Sequence, residues 1–198
     1  DYNELGTRDG FLKALYSLAP FSHPNSPSKE EFHFVPGLNL FFAKQRTHLG
    51  LNWYNTHKAL ESLGRRMPTT EEFRRALGYF KSSQDRELKA LYEEITQVRD
   101  PWRGSWLDAY FEQREDGLWL LTQNRTKTEK LEDCLMGDKM PGISLDYWVK
   151  GKNITGQGFP KSSISNGKLY YSHPRDRTVA GFDADSDWAD LYCYGRPD

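Results

Sequence analysis

Apolar residues between positions 50 and 64 recur at the spacing of one face of an α-helix. Trp53, Leu60 and Leu63 would lie on the same side of such a helix and face a core. Gly64 follows them, and glycine often ends a helix because it adopts the left-handed backbone conformation without steric cost. The pattern therefore predicts a first helix that starts near Trp53 and ends at Gly64.

A second and a third helix are predicted by a start signal and by continued helical spacing. Pro68 precedes Thr69, whose hydroxyl can accept a hydrogen bond from the amide of Glu72 while the Glu72 carboxylate reaches back to Thr69. This helical spacing stops at Pro101. The side chains expected to face inward are Phe73, Leu77 and Phe80 in the second helix, and Leu88, Leu91, Tyr92, Ile95 and Val98 in the third.

The first 48 residues are predicted to form an N-terminal arm or an extension of the main domain. Residues 11–18 carry a short helical pattern, and residues 20–28 are rich in Pro and Ser. An aromatic run over residues 32–42 surrounds Pro36 and Gly37, which predicts a strand or a hairpin. The segment contains no motif that indicates a function.

The second half of the chain alternates short aromatic or β-branched runs with Gly, Asp, Asn and Pro. Residues 114–117, R-E-D-G, separate Tyr110 and Phe111 from the apolar run 118–121, which predicts a β-hairpin. Residues 122–168 carry few periodic signals, and residues 151–158 are expected to form a flexible loop. These patterns predict an α+β protein with two or three helices packed on short antiparallel sheets and with a loop-rich second half.

Residues 181–194 alternate between two kinds of side chain, with one change of parity. Side chains at every second position of a strand share one face, so the small and apolar set is expected inside and the Asp and Tyr set outside. The inward set is Phe182, Ala184, Ser186, Ala189, Leu191 and Cys193, and the outward set is Gly181, Asp183, Asp185, Asp187, Asp190, Tyr192 and Tyr194. The alternation changes parity at Trp188, which predicts a turn or bulge near Asp187 and Trp188.

Composition and charge disfavour two classes of partner. The chain has 27 basic and 28 acidic residues and a net charge of −1, so it lacks the basic surface that nucleic acids require. No run approaches the roughly 20 apolar residues of a membrane span, so no membrane insertion is expected. The two cysteines, Cys134 and Cys193, are too few for a disulfide framework, and their spacing leaves open whether they meet.

The sequence offers little evidence for a metal, a cofactor or a catalytic residue. Asp183, Asp185 and Asp187 have the spacing that begins a calcium loop, but Trp188 and Tyr194 stand where an EF-hand needs Gly and Glu. The five histidines fall at no metal-binding spacing, and neither a phosphate-binding glycine loop nor a serine nucleophile elbow is present. Catalytic residues, metals and cofactors are therefore all expected to be absent.

Four strings resemble segments of a known family. Residues 64–73, G-R-R-M-P-T-T-E-E-F, are similar to the G-x-R-x-P-T-x-x-E-[FW] junction between the two helices of the formylglycine-generating-enzyme type of C-type lectin fold. Residues 178–193 resemble the V-A-x-F-x-A-x-S-x-x-A-x-L-x-C framework of variable proteins encoded by diversity-generating retroelements. Residues 141–146 and 170–175 lie where such proteins carry comparable P-G-I-S-L-D and Y-x-x-P-R strings.

The resemblance covers roughly residues 50–198 and implies a C-type lectin domain over 49–198 with a variable region at about 179–198. In that family a reverse transcriptase rewrites ligand-contacting codons at template adenines and preserves the scaffold. Asp and Tyr codons are each one first-base change from an AAY codon, as such rewriting would give. The implied ligand-contacting residues are Gly181, Asp183, Asp185, Asp187, Trp188, Asp190, Tyr192, Tyr194, Gly195 and Arg196.

The implied function is non-catalytic binding of a varied protein or surface ligand, with an oligomeric state that the sequence leaves open. Members occur on phage tail fibres, on bacterial surfaces and in archaeal viruses or cells, so a virion or cell surface is the default location. They also continue past the final Cys into a closing strand of S-S-L-G-V-R type, so a further segment is expected after Asp198. The strings with which other C-type lectins hold calcium and sugars, E-P-N, Q-P-D and W-N-D, are absent.

Two alternatives remain open. The fold also serves formylglycine-generating and related oxidases, in which Cys193 would be the reactive thiol, although the alternation predicts that Cys193 is buried. The other alternative is a structural virion or surface protein that uses the fold for assembly.

Overall fold

The computed structural model describes residues 27–98, 103–163, 167–184 and 188–198, and it contains four helices and nine strands in those ranges. The helices are α1 (Trp53–Glu61), α2 (Thr70–Ser82), α3 (Arg86–Thr96) and α4 (Leu145–Val149). The strands are β1 (Phe32–Val35), β2 (Leu40–Ala43), β3 (Arg103–Arg114), β4 (Gly117–Thr122), β5 (Lys127–Lys130), β6 (Lys139–Ile143), β7 (Leu169–Ser172), β8 (Thr178–Ala184) and β9 (Ala189–Gly195).

Seven of the strands form one sheet in the order β5-β4-β3-β8-β9-β7-β6, and β1 pairs with β2 in a separate hairpin. Neighbouring strands run antiparallel except β7 and β9, which run parallel. The prediction of an α+β protein is confirmed. The expected short antiparallel sheets are instead one large mixed sheet, because strands far apart in the sequence pair at its centre.

The first two helices begin as predicted. Asn52 caps α1 through its side chain, and Gly64 has a φ angle of 65°, as a helix-terminating glycine should. Thr69 and Glu72 form the predicted capping box at the start of α2. The expectation that Leu63 faces the core was wrong, because α1 ends at Glu61 and Leu63 lies 42% exposed in the terminating turn.

Helices α2 and α3 bury the faces that the spacing predicted. Phe73, Leu77 and Phe80 are buried on α2, and Leu88 is buried on α3. Leu91, Tyr92 and Ile95 pack against the same core and are partly buried, whereas Val98 follows the end of α3 and is 38% exposed. Val98 fails the prediction because α3 ends at Thr96, two residues before it.

The main core lies between α2, α3, α4 and one face of the large sheet. The ring of Phe182 on β8 lies 5.4 Å from that of Phe73 and stacks on Trp148 at 5.8 Å, with an interplanar angle of 5°. Burial of each such side chain contributes roughly 1.5–3 kcal/mol. Phe182 therefore packs the centre of the sheet against both α2, through Phe73, and α4, through Trp148.

Helix α1 packs on the opposite face of the sheet, where β3 and β4 lie. Trp53 is fully buried, and its Nε1 donates a hydrogen bond to the carbonyl of Leu107 at 2.8 Å. Its ring lies 6.1 Å from that of Tyr110, in a second cluster that includes Met67 and Val179. The sheet is thus covered by helices on both faces at its β3–β4 end.

Both predicted hairpins are present, and the weakly patterned segment contains unpredicted structure. Strands β1 and β2 form the first hairpin, whose Phe42 ring lies 6.1 Å from Phe80 of α2, so residues 32–43 pack on the main core. Strands β3 and β4 form the second, with Arg114 opposite Gly117. Strands β5 and β6 and helix α4 lie within residues 122–168, where sequence periodicity predicted no element.

The glycine-rich loop at residues 151–158 packs closely on α2. The carbonyl of Gly158 accepts a hydrogen bond from Trp148 Nε1 at 2.8 Å. Gly158 has a φ angle of 93°, and a Cβ at this position would lie 2.7 Å from the backbone nitrogen of Glu71. Only glycine fits this approach, so the loop belongs to the scaffold.

Candidate ligand-binding surface

The β8–β9 hairpin separates its side chains as the alternation predicted. Phe182 lies opposite Leu191, and Ala184 lies opposite Ala189. The side chains that face the main core are at most 4% exposed: Ala180, Phe182, Ala184, Ala189, Leu191 and Cys193. Strand β8 ends at Ala184 and its antiparallel partner β9 begins at Ala189, and the turn or bulge predicted near Asp187 and Trp188 falls largely outside the described residues.

The residues of β8 and β9 that lie on the opposite side of the sheet from the main core, together with adjacent residues of β3 and β7, form a surface that we call the outer face. It consists of Gly104 and Trp106 of β3, Gly181 and Asp183 of β8, Asp190, Tyr192 and Tyr194 of β9, Tyr170 and Ser172 of β7, and Trp188 just before β9. Tyr194 is 46% exposed, and Asp183, Trp188, Tyr192 and Tyr170 are partly buried. The outer face therefore offers aromatic and acidic groups to a ligand.

Of the other residues implied by the resemblance, Gly195 is partly buried and Arg196 is exposed, directly after the outer face. Asp185 and Asp187 lie outside the described residues. The structure therefore brings the described members of the implied set together at one surface, and it places Gly181 and Asp190 below that surface.

Tyr192 lies across the backbone of β8 because residue 181 is glycine. A Cβ at Gly181 would be 2.2 Å from the Tyr192 hydroxyl oxygen, closer than any real contact. The Tyr192 ring meets Trp106 edge-on at 6.1 Å and Tyr194 at 5.8 Å. Burial, and then the charges of Asp183 and Asp190, raise the pKa of Tyr192. Tyr192 is therefore the fixed centre of an aromatic row over β3, β8 and β9.

A second aromatic pair stands on the other side of β9. The rings of Tyr170 and Trp188 stack at 4.5 Å with an interplanar angle of 13°. Tyr170 lies opposite Asp190 in the parallel β7–β9 pairing. Sequence reasoning placed Tyr170 only in a family string. Leu169 and Tyr171, on either side of it, are buried in the main core, so Tyr170 points to the outer face.

Asp190 is the most unusual residue of the outer face. It lies opposite Asp183 on β8, and like charges in this arrangement repel. Asp190 is only 6% exposed, and its Oδ1 has no hydrogen-bond partner among the described residues. Burial, and then the nearby charge of Asp138, raise the pKa of Asp190 to about 6. The sequence predicted an outward Asp here, but not a buried one.

A polar cluster that sequence reasoning missed borders the outer face. Asp138 accepts hydrogen bonds from the His173 amide at 3.1 Å and from Arg175 Nη2 at 2.6 Å, and its Oδ1 lies 2.7 Å from His173 Nδ1. The Arg175 guanidinium lies over the Tyr194 ring at 5.7 Å. Burial alone would raise the pKa of Asp138, but the His173 and Arg175 bonds lower it. The cluster therefore holds Arg175 against the aromatic row.

The two cysteines are unpaired thiols, and both interact electrostatically with Tyr171. Cys193 is fully buried on the core side of β9, and burial raises its pKa well above the ordinary value. Burial also raises the pKa of the partly buried Cys134 to about 11. Both groups are therefore protonated thiols near neutral pH, which is unfavourable for nucleophilic chemistry.

A separate polar cavity lies away from the outer face. Within the described ranges, His, Cys, Asp and Glu form no cluster of three or more that could hold a metal ion. A cavity of about 240 Å³ lies at the start of α2, lined in part by Arg66, Thr70, Asp108 and Lys127. It combines acidic and basic groups, and Arg66 is already paired with Glu72, so its chemistry favours no particular ligand.

Comparisons of the chain with protein-family models, with curated proteins and with solved structures gave no match. In the part of the chain that the structure describes, no helix is long and apolar enough to cross a membrane.

Proposed function

We propose that this chain is a non-catalytic ligand-binding protein of the C-type lectin fold, related to the variable proteins of diversity-generating retroelements, and that the outer face contacts the ligand. One observation carries the proposal. Six described residues of the resembling framework are buried on the core side of β8 and β9, namely Ala180, Phe182, Ala184, Ala189, Leu191 and Cys193. The framework residue Val179 is buried under α1 on the opposite side, where the described residues of β8 and β9 that are implied as variable also lie. Such a division lets a surface change while its scaffold persists.

The junction string at residues 64–73 supports this proposal, because its distinctive letters have structural roles here. Arg66 forms two hydrogen bonds with the carboxylate of Glu72, both of 2.6 Å. Glu72 also completes the capping box with Thr69. The carbonyl of Pro68 accepts the amide of Asp108 at 2.8 Å, which ties the junction to β3. The residues of this string therefore form a hydrogen-bonded connection between the start of α2 and β3.

The two shorter strings support it in the same way. In residues 141–146, Ile143 enters the main core, Ser144 caps α4, and Asp146 forms ion pairs with Lys81 of α2 and Lys150. In residues 170–175, Arg175 connects the polar cluster to Tyr194. The first string therefore belongs to the core and α4, and the second contacts the outer face through Arg175.

The composition of the outer face suits binding. Tyr and Trp provide large, rigid contact areas at a low cost in conformational entropy, which is why binding surfaces are enriched in them. Trp188, Tyr192, Tyr194 and Tyr170 supply four such rings around two carboxylates. In this proposal the retroelement rewrites the exposed positions of the outer face, and the buried core of the hairpin is retained.

A pair of displayed libraries tests whether the outer face is a variable binding surface. One library randomises Asp183, Trp188, Tyr194 and Arg196, and the matched library randomises the inward Ala184, Ala189, Leu191 and Cys193. We expect most outward clones to remain protease-resistant on the cell surface and to yield binders against a test protein such as lysozyme. The inward library should lose resistance. Equal loss of folding in both libraries would contradict the proposal.

A further inference from the structure

The buried carboxylate of Asp190 suggests the chemical class of the ligand. Asp190 Oδ1 lacks a hydrogen-bond partner among the described residues, although Asp190 is 94% buried. A buried polar group without a partner costs stability, and a ligand that donates a hydrogen bond to Asp190 Oδ1 would remove that cost. Ser172, whose buried Oγ likewise lacks a described partner, lies on the next outer-face position of β7. Asp190 Oδ1 and Ser172 Oγ, the two atoms without a described partner, therefore lie in the same part of the outer face.

The electrostatic surroundings of Asp190 favour a positive charge. Asp183 lies directly opposite on β8, and the charge of Asp138 acts on Asp190 as well. Arg175, the neighbouring cation, is held by the Asp138 carboxylate and by the Tyr194 ring. A cationic ligand group at Asp190 would therefore be attracted by the local field and would supply the missing hydrogen-bond donor.

The aromatic rings around Asp190 favour the same chemistry. The Tyr170–Trp188 stack lies on the β7 side, and Tyr192 follows Asp190 by two positions on the same face of β9. Ring faces attract ammonium and guanidinium groups, more strongly as water is excluded. A carboxylate that is only 6% exposed is reached best by a narrow chain with a charged tip. Lysine and arginine side chains have this shape.

We propose that the outer face binds a protein ligand through a lysine or arginine side chain whose charged tip reaches the Asp190 carboxylate between the Tyr170–Trp188 stack and Tyr192. This inference rests on the proposed function and adds the ligand class to it. A hydroxyl-rich ligand would also donate to Asp190 Oδ1, but it would bring no positive charge to the Asp190 carboxylate.

Selection of peptides on the intact protein tests the inference. A displayed library of random 12-residue peptides is selected on the immobilised wild-type chain near pH 7.5, and enriched peptides are measured against four proteins. These are the wild type, Asp190→Asn, the double variant Trp188→Ala/Tyr194→Ala, and the control Glu115→Gln, which removes an exposed acid in the β3–β4 turn. Thermal unfolding of each variant verifies that it folds.

We expect the enriched peptides to be rich in Lys and Arg, to bind Asp190→Asn at least about tenfold more weakly, and to bind Glu115→Gln as they bind the wild type. Replacement of one basic peptide residue by Ala should cause a similar loss. Peptides that require Trp188 and Tyr194 but bind Asp190→Asn as tightly as the wild type would overturn the inference and leave the proposed function standing. A selection that yields no peptide dependent on Trp188 and Tyr194 would overturn both.

Discussion

At the scale of single residues, Asp190 links burial to a measurable dependence of stability on pH. Burial raises its pKa from 3.8 to about 6, so the folded state holds the proton more tightly than the unfolded state. The folded state therefore loses stability as the pH rises from about 4 through 6, by roughly 3 kcal/mol in all. Asparagine has nearly the same shape and does not become charged as the pH rises.

We therefore expect Asp190→Asn to melt roughly 6–12 °C above the wild type at pH 8, and the difference to shrink towards zero at pH 4. Thermal unfolding of both proteins between pH 4 and 8 measures this, and the comparison cancels the other titrating groups. A difference that is the same at every pH, or a wild type that is the more stable at pH 8, would show that the Asp190 carboxylate is solvated or paired.

A second prediction concerns Gly181, which lies against the Tyr192 ring. A Cβ there would collide with the Tyr192 ring, so Gly181→Ala should displace the ring and destabilise the fold by about 1–3 kcal/mol. Gly137→Ala is the matched control, because a Cβ at that position meets nothing within 4 Å. In Tyr192→Ala the same change at Gly181 should cost little, since the obstructing ring is gone. Additive losses in the double variant, measured by chemical denaturation, would refute the contact.

The sequence predicted on which face of the sheet these residues lie, but not which residues pack around them. Alternation along a strand is local, so the burial of Leu191 and Cys193 could be predicted from the chain alone. The burial of Asp190 depends on β7, which pairs with β9 from twenty positions earlier in the sequence. The Asp138 cluster, contributed by the loop before β6, was missed for the same reason.

At the scale of elements, the start of α2 depends on one capping box. Thr69 accepts a hydrogen bond from the Glu72 amide, and Glu72 also holds Arg66. Thr69→Ala should destabilise the fold by about 1 kcal/mol and lower the melting temperature by a few degrees. Thr128→Ala, at an exposed site on β5, is the control. Equal melting temperatures for the two variants would mean that the cap contributes nothing.

The capped helices and the tight hairpins were predictable because their signals lie within a few residues of each other. Capping boxes, glycine stops and two-residue turns need no distant partner. Helix α4 and strands β5 and β6 were not predictable in this way. They are short, and contacts with α2, β4 and β7 stabilise them, so their own sequences carry little periodicity.

At the scale of the whole molecule, the accessibility of Cys193 separates the proposed binder from an oxidase. In Cys134→Ala, the remaining thiol is Cys193, which is fully buried under the sheet. We expect maleimide at pH 7.5 to label this variant only after denaturation. Labelling of the native variant within minutes, at the rate of an exposed thiol, would instead favour chemistry at Cys193 and the oxidase alternative.

The large mixed sheet explains how one surface could vary while the fold persists. Strands β8 and β9 lie at the centre of the sheet, and the main core holds them from the other side. A change on the outer face therefore leaves the contacts of Phe182 and Leu191 intact. The sequence alone indicated two halves, helical and strand-rich, but the β3–β8 and β7–β9 pairings that join them are long-range and had no local signal.

The DNA around the coding region would show whether a retroelement diversifies the outer face. Sequencing should find a near-copy of the codons for residues 179–198, together with a reverse transcriptase gene. We expect the two copies to differ almost only at adenines of the near-copy. These differences should fall in codons of the outer face, such as those of Asp183, Trp188, Tyr192 and Tyr194. Absence of a near-copy, or differences concentrated in the codons of the inward residues, would contradict diversification of this surface.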